Sequence, residues 1–379
     1  MGGIGPVGIV GGGPAGAELA RRLAEARIAC VLYEAAPDRA KPCGGELTPR
    51  AMERTPPSVR EATPGRPVFQ ITSRSPSDRT FDLRLSEPVT IVSRRAFDQQ
   101  LRRAAEEAGA EVVHRRVRTV ERRDGFFLVD GRDAFPLLAG AGGFNCPVAR
   151  ALAGPLPAED LAASVGYYLD GEHPSRIVIR FVSGLVGYLW FFPGPSAASA
   201  GIAGPARGFS VLRAESMLKN FIESLVPGQA PNRRYAWAAP CLRTGAFDAR
   251  PVAGENWLLL GDAAGLCDPI TGEGIAHALD SAALAARAIQ TGDLESYRTE
   301  LEKGIVRELR RAAAMKEEFF KPGFLRMGHL VMSGSAAAND LCRRFAEGKI
   351  SYHDLKPESY RLLPKALFQV LGSRIGRRG

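Results

Sequence analysis

The chain opens on a short apolar run, Val7–Val10, and a second, Ala29–Tyr33, with Leu19 and Leu23 four residues apart between them. Two short apolar runs flanking a segment of helical period predict buried strand, helix over Gly13–Ala26, and buried strand. Residues 36–65, rich in Pro, Arg and Gly, predict loop with a short helix. Alternation then predicts strands at Val68–Ser73, Phe81–Leu85 and Val89–Val92, and a helix over Ala96–Ala108 closed by Gly109. Glu111–His114, Arg118–Arg122 and Phe126–Val129 predict a small meander. Strand pattern dominates from about 160 to 205, at Ala162–Leu169, Arg176–Val182, Gly187–Phe192 and Ala198–Ala203. A helix over Val211–Leu225 and strands at Arg233–Ala239 and Trp257–Leu260 follow, then a long helix from Gly274 and a basic helical remainder.

A strand-rich block between two α/β stretches predicts an α/β protein. Its parts are a Rossmann-like three-layer domain with a small meander, an inserted antiparallel-sheet domain, and a helical C-terminal region. The expected segments are 1–65, 90–155 and 245–295 for the first, 66–89 and 156–244 for the second, and 296–379 for the third. At 379 residues the chain exceeds what one hydrophobic core usually organises.

Composition changes this picture in three places. Glycines cluster at Gly11–Gly13, Gly44–Gly45, Gly140–Gly143 and Gly261–Gly274, where backbone is expected to approach a ligand. A formal charge of +9, without a recognition helix, zinc motif or stacking sheet, points to a solvated basic surface or to attraction for anionic cofactors, diphosphates or anionic lipid, and not to nucleic acid. Six scattered cysteines without a CxxC pair fit a reducing cytoplasm, and no apolar run reaches spanning length. Leu362–Ile375, with Leu363, Leu367, Phe368 and Leu371 among Lys365, Arg374, Arg377 and Arg378, reads as a basic amphipathic helix starting near Pro364. It would either dock on the protein or touch a membrane.

Three motifs carry chemistry. Gly11, Gly13 and Gly16 form a GxGxxG with Pro14 and Ala15 inside it, between a strand and a helix, and Glu34 ends the next strand. That is the arrangement for a pyrophosphate on a helix N-terminus and a ribose on a carboxylate. Far downstream, Gly261-Asp262 ends a strand and leads through Pro269 to Gly272 and Gly274, a loop that presents backbone N–H groups at a helix start. Arg94 opens an R-x-x-F-D run with Phe97 and Asp98, either as a basic helix cap or as a cofactor contact. No metal site is expected.

Together these motifs resemble the FAD-dependent oxidoreductases of the para-hydroxybenzoate hydroxylase fold, from roughly residue 5 to 290. Three further runs are similar to one branch, the geranylgeranyl reductase family. Lys41-Pro-Cys43-Gly44-Gly45 resembles its K-x-C-G-G-G, Tyr188-Leu-Trp190-Phe-Phe192-Pro193 its Y-x-W-x-F-P, and Asn145–Arg150 its N-S-P-V-A-R. The resemblance implies FAD as cofactor, NAD(P)H as an electron donor, and an apolar or prenyl substrate. It implies reduction of a carbon–carbon double bond by hydride transfer. The alternative on this fold is a monooxygenase or halogenase acting on an aromatic or natural-product substrate. Tyr188, Trp190 and Phe192 share one strand face and would line the substrate pocket. Cys43, Glu46 and Tyr188 are the candidate proton sources. Glu46 stands where the family keeps a third glycine, and Gly140–Gly143 lacks the Asp-Gly pair of the hydroxylases.

Overall fold

The computed structural model describes residues 5–39 and 41–375. The chain begins with β1 Val7–Val10, α1 Pro14–Glu25, β2 Cys30–Tyr33, β3 Glu46–Leu47, α2 Pro49–Arg54 and α3 Pro57–Ala62. It continues through β4 Gly65–Arg74, β5 Thr80–Val92, α4 Arg94–Glu107, β6 Glu111–Val113, β7 Val120–Arg123, β8 Phe126–Val129, β9 Asp133–Phe135, β10 Leu137–Gly140 and α5 Pro147–Leu152. The middle holds β11 Leu161–Asp170, β12 Ile177–Arg180, β13 Tyr188–Pro193, β14 Ala197–Pro205, α6 Val211–Leu225 and β15 Arg233–Pro240. Next come α7 Thr244–Ala249, β16 Ala253–Gly254, β17 Trp257–Leu259, α8 Ile275–Thr291 and α9 Leu294–Leu301. After a π turn over Glu302–Val306 the chain ends in α10 Arg307–Phe319, α11 Pro322–Gly334, α12 Ala336–Ala346 and α13 Tyr352–Ile375.

The first sheet has the order β16-β17-β10-β1-β2-β6, parallel except at β16. Val7 and Ile9 are fully buried, and α1 packs against α4 and α8. Gly8 points the other way; a Cβ there would meet the Phe135 ring of β9 at 2.7 Å, so the three-stranded β7-β8-β9 sheet covers that face. This gives the three layers. Glu111–Val113 is not part of the meander, as its alternation suggested. It pairs in parallel with β2, because the turn through Gly109, at φ +104°, brings the chain back beside that strand.

The second sheet has the order β15-β11-β14-β13-β12-β4-β5-β3, antiparallel except between β12 and β4. Its central strands, β11, β13 and β14, pair without a register shift. Val165, Leu169, Leu189, Phe191 and Ile202 pack under Leu218, Phe221 and Ile222 of α6. Trp190 and Phe192 lie on the opposite face with Ile177 and Tyr235.

Phe81–Leu85 and Val89–Val92 are one strand, not two, with the register shifting between Val68 and Gln70 of β4. The reason lies far along the chain. Ser86 in the bulge donates its backbone N–H, at 2.6 Å, and its hydroxyl, at 2.8 Å, to Glu347 after α12. Arg343 and Lys349 reach the other oxygen of the same carboxylate at 2.8 and 3.0 Å. Burial works against the ionised Glu347, but the Ser86 N–H and the two cations outweigh it and hold the carboxyl down at about 2, against 4.5. A depressed carboxyl stabilises the fold above its unfolded value, and that stability is lost as pH falls from about 4.5 through about 2. Glu347→Gln is therefore expected to cost about 1–3 kcal/mol at pH 7, with the gap to the parent closing by about pH 2. Denaturant melts across that range measure it; a gap independent of pH would refute the carboxylate's role.

α13 starts ten residues before the expected helix. Ser351 caps it, accepting the Asp354 N–H at 3.3 Å and donating to the Asp354 carboxylate at 2.8 Å. Pro364 is consequently inside the helix and not at its first turn. Leu363 and Lys365 are exposed, whereas the side chains of Leu367, Phe368, Leu371 and Arg374, and all of Arg377 and Arg378, lie outside the described residues.

Candidate active site

The ends of β1, β2, β10 and β17 and one face of the second sheet border an open cavity of about 1350 Å³, lined on the remaining side by α10 and the 345–354 segment. Drug-sized ligands occupy roughly 300–1,000 Å³, so this cavity has room for more than one molecule.

At its nucleotide end the three glycines do different things. A Cβ on Gly11 would sit 2.5 Å from the Ala141 and Gly142 backbone, and one on Gly16 would sit 1.9 Å from the Gly11 carbonyl. Both are bare so that the chain can fold. A Cβ on Gly13 would meet nothing within 4 Å; its bare side faces the cavity. Pro14 fills the first position of α1, Ala15 follows, and no side chain caps this helix start. Glu34 accepts the Gly12 N–H at 2.9 Å and the Ala36 N–H at 2.6 Å, which fixes its carboxylate beside the glycine turn. Arg102 ties α4 to the same turn through the Gly12 carbonyl, 3.1 Å, a contact no sequence motif marks.

Across the cavity, Asp262 follows Gly261, which has a left-handed φ of +52°, and pairs with Lys41 at 2.5 Å. Burial pulls the Lys41 ammonium down, and the Asp262 charge more than offsets it, leaving it raised. The loop from Asp268 to Gly274 is clamped from several sides. Asp268 accepts the Ile270 and Thr271 N–H groups at 2.8 and 2.9 Å and the Tyr352 hydroxyl at 3.1 Å. Tyr188 donates to the Thr271 carbonyl, and Thr48 donates to Glu273 at 2.7 Å. Gly272, at φ +78°, leaves space for the Tyr188 hydroxyl, 3.2 Å from where a Cβ would stand. Gly274 begins α8 without a side-chain cap. Asp268 was legible only as the Asp of an Asp-Pro turn, and Tyr352 carried no signal at all.

Arg94 is buried. Its Nε and Nη2 grip Asp98, both at 2.9 Å, and Nη1 lies 3.6 Å from the Cys43 sulfur. Two of its three nitrogens are thus committed within α4, and the third addresses Cys43. The Cys43 sulfur also accepts the Gly45 N–H at 3.1 Å, and its carbonyl accepts from Ser199 at 3.2 Å. Gly44 is bare because Phe192 lies on it, 2.7 Å from a Cβ position.

Tyr188, Trp190 and Phe192 all line the cavity from β13. Trp190 lies flat on Gly201 of β14, and its Nε1 reaches Ser199 at 3.4 Å. Burial drives the Tyr188 phenol far up, so it stays a hydrogen-bond donor at all ordinary pH. Glu46, at the start of β3, also lines the cavity; burial, aided by the Glu273 charge, pushes its carboxyl up to about 7. Cys267 lines the same cavity with its sulfur 3.5 Å from the Gly272 carbonyl, and burial pushes its thiol well up, which keeps it protonated.

These residues fit an FAD. The open side of Gly13 and the uncapped start of α1 suit a diphosphate, Glu34 a ribose, and Asp262 with the start of α8 the distal half. His277 in the first turn of α8 lines the cavity and has a buried Nδ1 without a partner among the described residues.

No protein-family model matches the chain. It is 28% identical over 306 residues to the geranylgeranyl diphosphate reductase of Rhodobacter capsulatus, covering 74% of this chain and 73% of that one. It is 27% identical over 326 residues to the menaquinone reductase of Mycobacterium tuberculosis, with 76% of each chain covered. A geranylgeranyl bacteriochlorophyll reductase-like structure from Thermoplasma acidophilum superposes with a TM-score of 0.77 at 22% identity, covering 95% of this chain and all of that one. Flavin-dependent halogenases share the same architecture. Motifs, cavity and relatives agree: the chain is an FAD-dependent oxidoreductase on the para-hydroxybenzoate hydroxylase-like fold, and it is similar to geranylgeranyl reductases.

Proposed function

We propose that this protein reduces a carbon–carbon double bond in a prenyl or similarly apolar chain. The observation that carries this reading is the placement of a carboxyl group, Glu46, in the cavity beside the Cys43–Gly45 loop and the aromatic face of β13, where burial pushes it up to about 7. When bound and reduced, FAD supplies the hydride for one carbon of the double bond. The other carbon needs a proton, and an acid with a value near the working pH is the efficient donor. Glu46 holds that proton at its carboxyl oxygen.

The remaining residues orient and enclose. Trp190 and Phe192 give the alkene an apolar wall without competing hydrogen bonds, and Phe181, Ile177 and Ile179 extend it. Tyr188 pins the 268–274 loop and presents its ring to the chain. Arg94 fixes the Cys43 loop through the sulfur, keeping Gly44 and Gly45 close against Phe192 and β5. α10 and the 345–354 segment line the far side of the cavity, and an apolar chain filling it would displace water from the reacting carbons.

The direct test uses enzyme reduced chemically without oxygen, mixed with geranylgeranyl diphosphate or with a menaquinone. Reoxidation of the flavin with a product two mass units heavier per bond is the expected result. Reoxidation only after oxygen is admitted, with a hydroxylated or halogenated product, would overturn the reductase reading.

A further inference from the structure

A file of aromatic rings leads from the reaction end of the cavity to the surface. Successive centroids are 6.1 Å apart from Trp190 to Tyr188, 6.2 Å to Phe181, 5.8 Å to Phe319 and 5.9 Å to Phe324. Trp190 is 7% exposed and Phe324 is 46% exposed. Met327, one turn further along α11, is 60% exposed. From the other side, Val186 continues the 192-190-188 alternation beyond β13, lines the same cavity, and is 38% exposed. These side chains are exposed by construction. α11 is held from behind by buried Leu325 and by His329, whose Nε2 lies 3.0 Å from the Ser73 hydroxyl, and that anchoring turns Phe324 and Met327 outward.

We propose that Phe324 and Met327, at the outer end of the ring file, dock on an anionic lipid surface, from which the apolar chain enters the cavity along that file. The proposal rests on the reading that the cavity takes an apolar chain. Charge selects the occupant. From Pro322 to Asn339 the sequence carries no carboxylate, and Arg326, exposed between the two apolar side chains, has no ion-pair partner among the described residues. The whole chain carries +9. A cation flanked by apolar groups suits the boundary between acyl chains and acidic headgroups. A second copy suits it less, because a two-fold contact on this patch would bring two Arg326 side chains together. No helix among the described residues is long and apolar enough to cross a membrane, so α11 would lie on the surface.

The test is vesicle flotation of the full-length, flavin-loaded protein, with phosphatidylcholine alone or mixed with phosphatidylglycerol. The wild type is expected to float with the acidic vesicles, more weakly as salt is raised. A Phe324→Ser/Met327→Ser variant should bind them about tenfold or more weakly, and Arg326→Gln should lose most of the preference for acidic lipid. Flavin content and melting temperature report that the variants are folded. Flotation measures binding without turnover, so failure of the reductase reading leaves this result standing. Equal flotation of wild type and double variant would overturn the proposal, as would a wild-type dimer in solution that the double variant dissolves.

Discussion

Glu46→Gln is expected to slow alkene reduction by about 100- to 10,000-fold, the usual contribution of a positioned general acid, while flavin content stays that of the parent. The amide keeps the shape and the cavity wall but has no proton to give. The pH profile separates this role from a packing role. With the Glu46 carboxyl pushed up to about 7, the parent holds its donor proton below that pH, and its rate should fall with rising pH above it. The variant's residual rate should lack that limb. Stability should move the opposite way. A carboxyl raised in the fold binds more protons in the native than in the unfolded state between about 4.5 and 7, so the parent loses stability as pH rises through that window. The amide cannot ionise, so the variant should be slower yet melt higher at pH 8. Single-turnover reoxidation of the reduced enzyme, taken from pH 5 to 9, measures the first effect, and thermal melts at pH 5 and 8 the second. An unchanged rate with an unchanged alkaline limb would assign the proton to another group, with Cys43 next in place.

The sequence carried the local parts of this architecture and missed those that depend on distant partners. Val7–Val10 and Val211–Leu225 match the observed elements residue for residue, because each is a run whose period is complete in itself. The Tyr188-Trp190-Phe192 face followed from strand geometry alone. What could not be read was anything set by a contact far away in the sequence. The bulge in β5 looked like a break between two strands because its acceptor, Glu347, lies 261 residues from Ser86. The anchoring of the 268–274 loop by Tyr352 was invisible for the same reason, at a separation of 84. Arg94 illustrates a subtler limit. Its pairing with Asp98 is an ordinary i to i+4 contact, legible from spacing, but the direction of its free nitrogen toward Cys43 depends on where residues 41–45 cross α4. Glu46 stood out in the sequence as a departure from the family pattern. Only burial beside Glu273 turns that departure into an acid tuned to neutral pH.

Gly13→Val is expected to yield a folded but colourless protein, with FAD bound about 100-fold or more weakly. The argument is steric and uses the contrast among the three glycines. At Gly11 and Gly16 a Cβ collides with backbone at 2.5 and 1.9 Å, so substitutions there damage the turn itself and would say nothing about the ligand. At Gly13 the backbone is extended, with φ −77° and ψ −173°, which any residue adopts, and a Cβ has no protein atom within 4 Å. The apo fold should therefore lose only about 1 kcal/mol, the cost of valine at the N-cap of α1. Only a group lying on the uncapped start of α1 would be displaced, and there two branches of a valine would fill the space a diphosphate needs. Flavin absorbance at equal protein concentration, titration of the apo form with FAD, and denaturant melts of both apo proteins separate binding from folding. Full retention of FAD would place the diphosphate elsewhere in the cavity, and the division of labour between Gly13 and its two neighbours would be wrong.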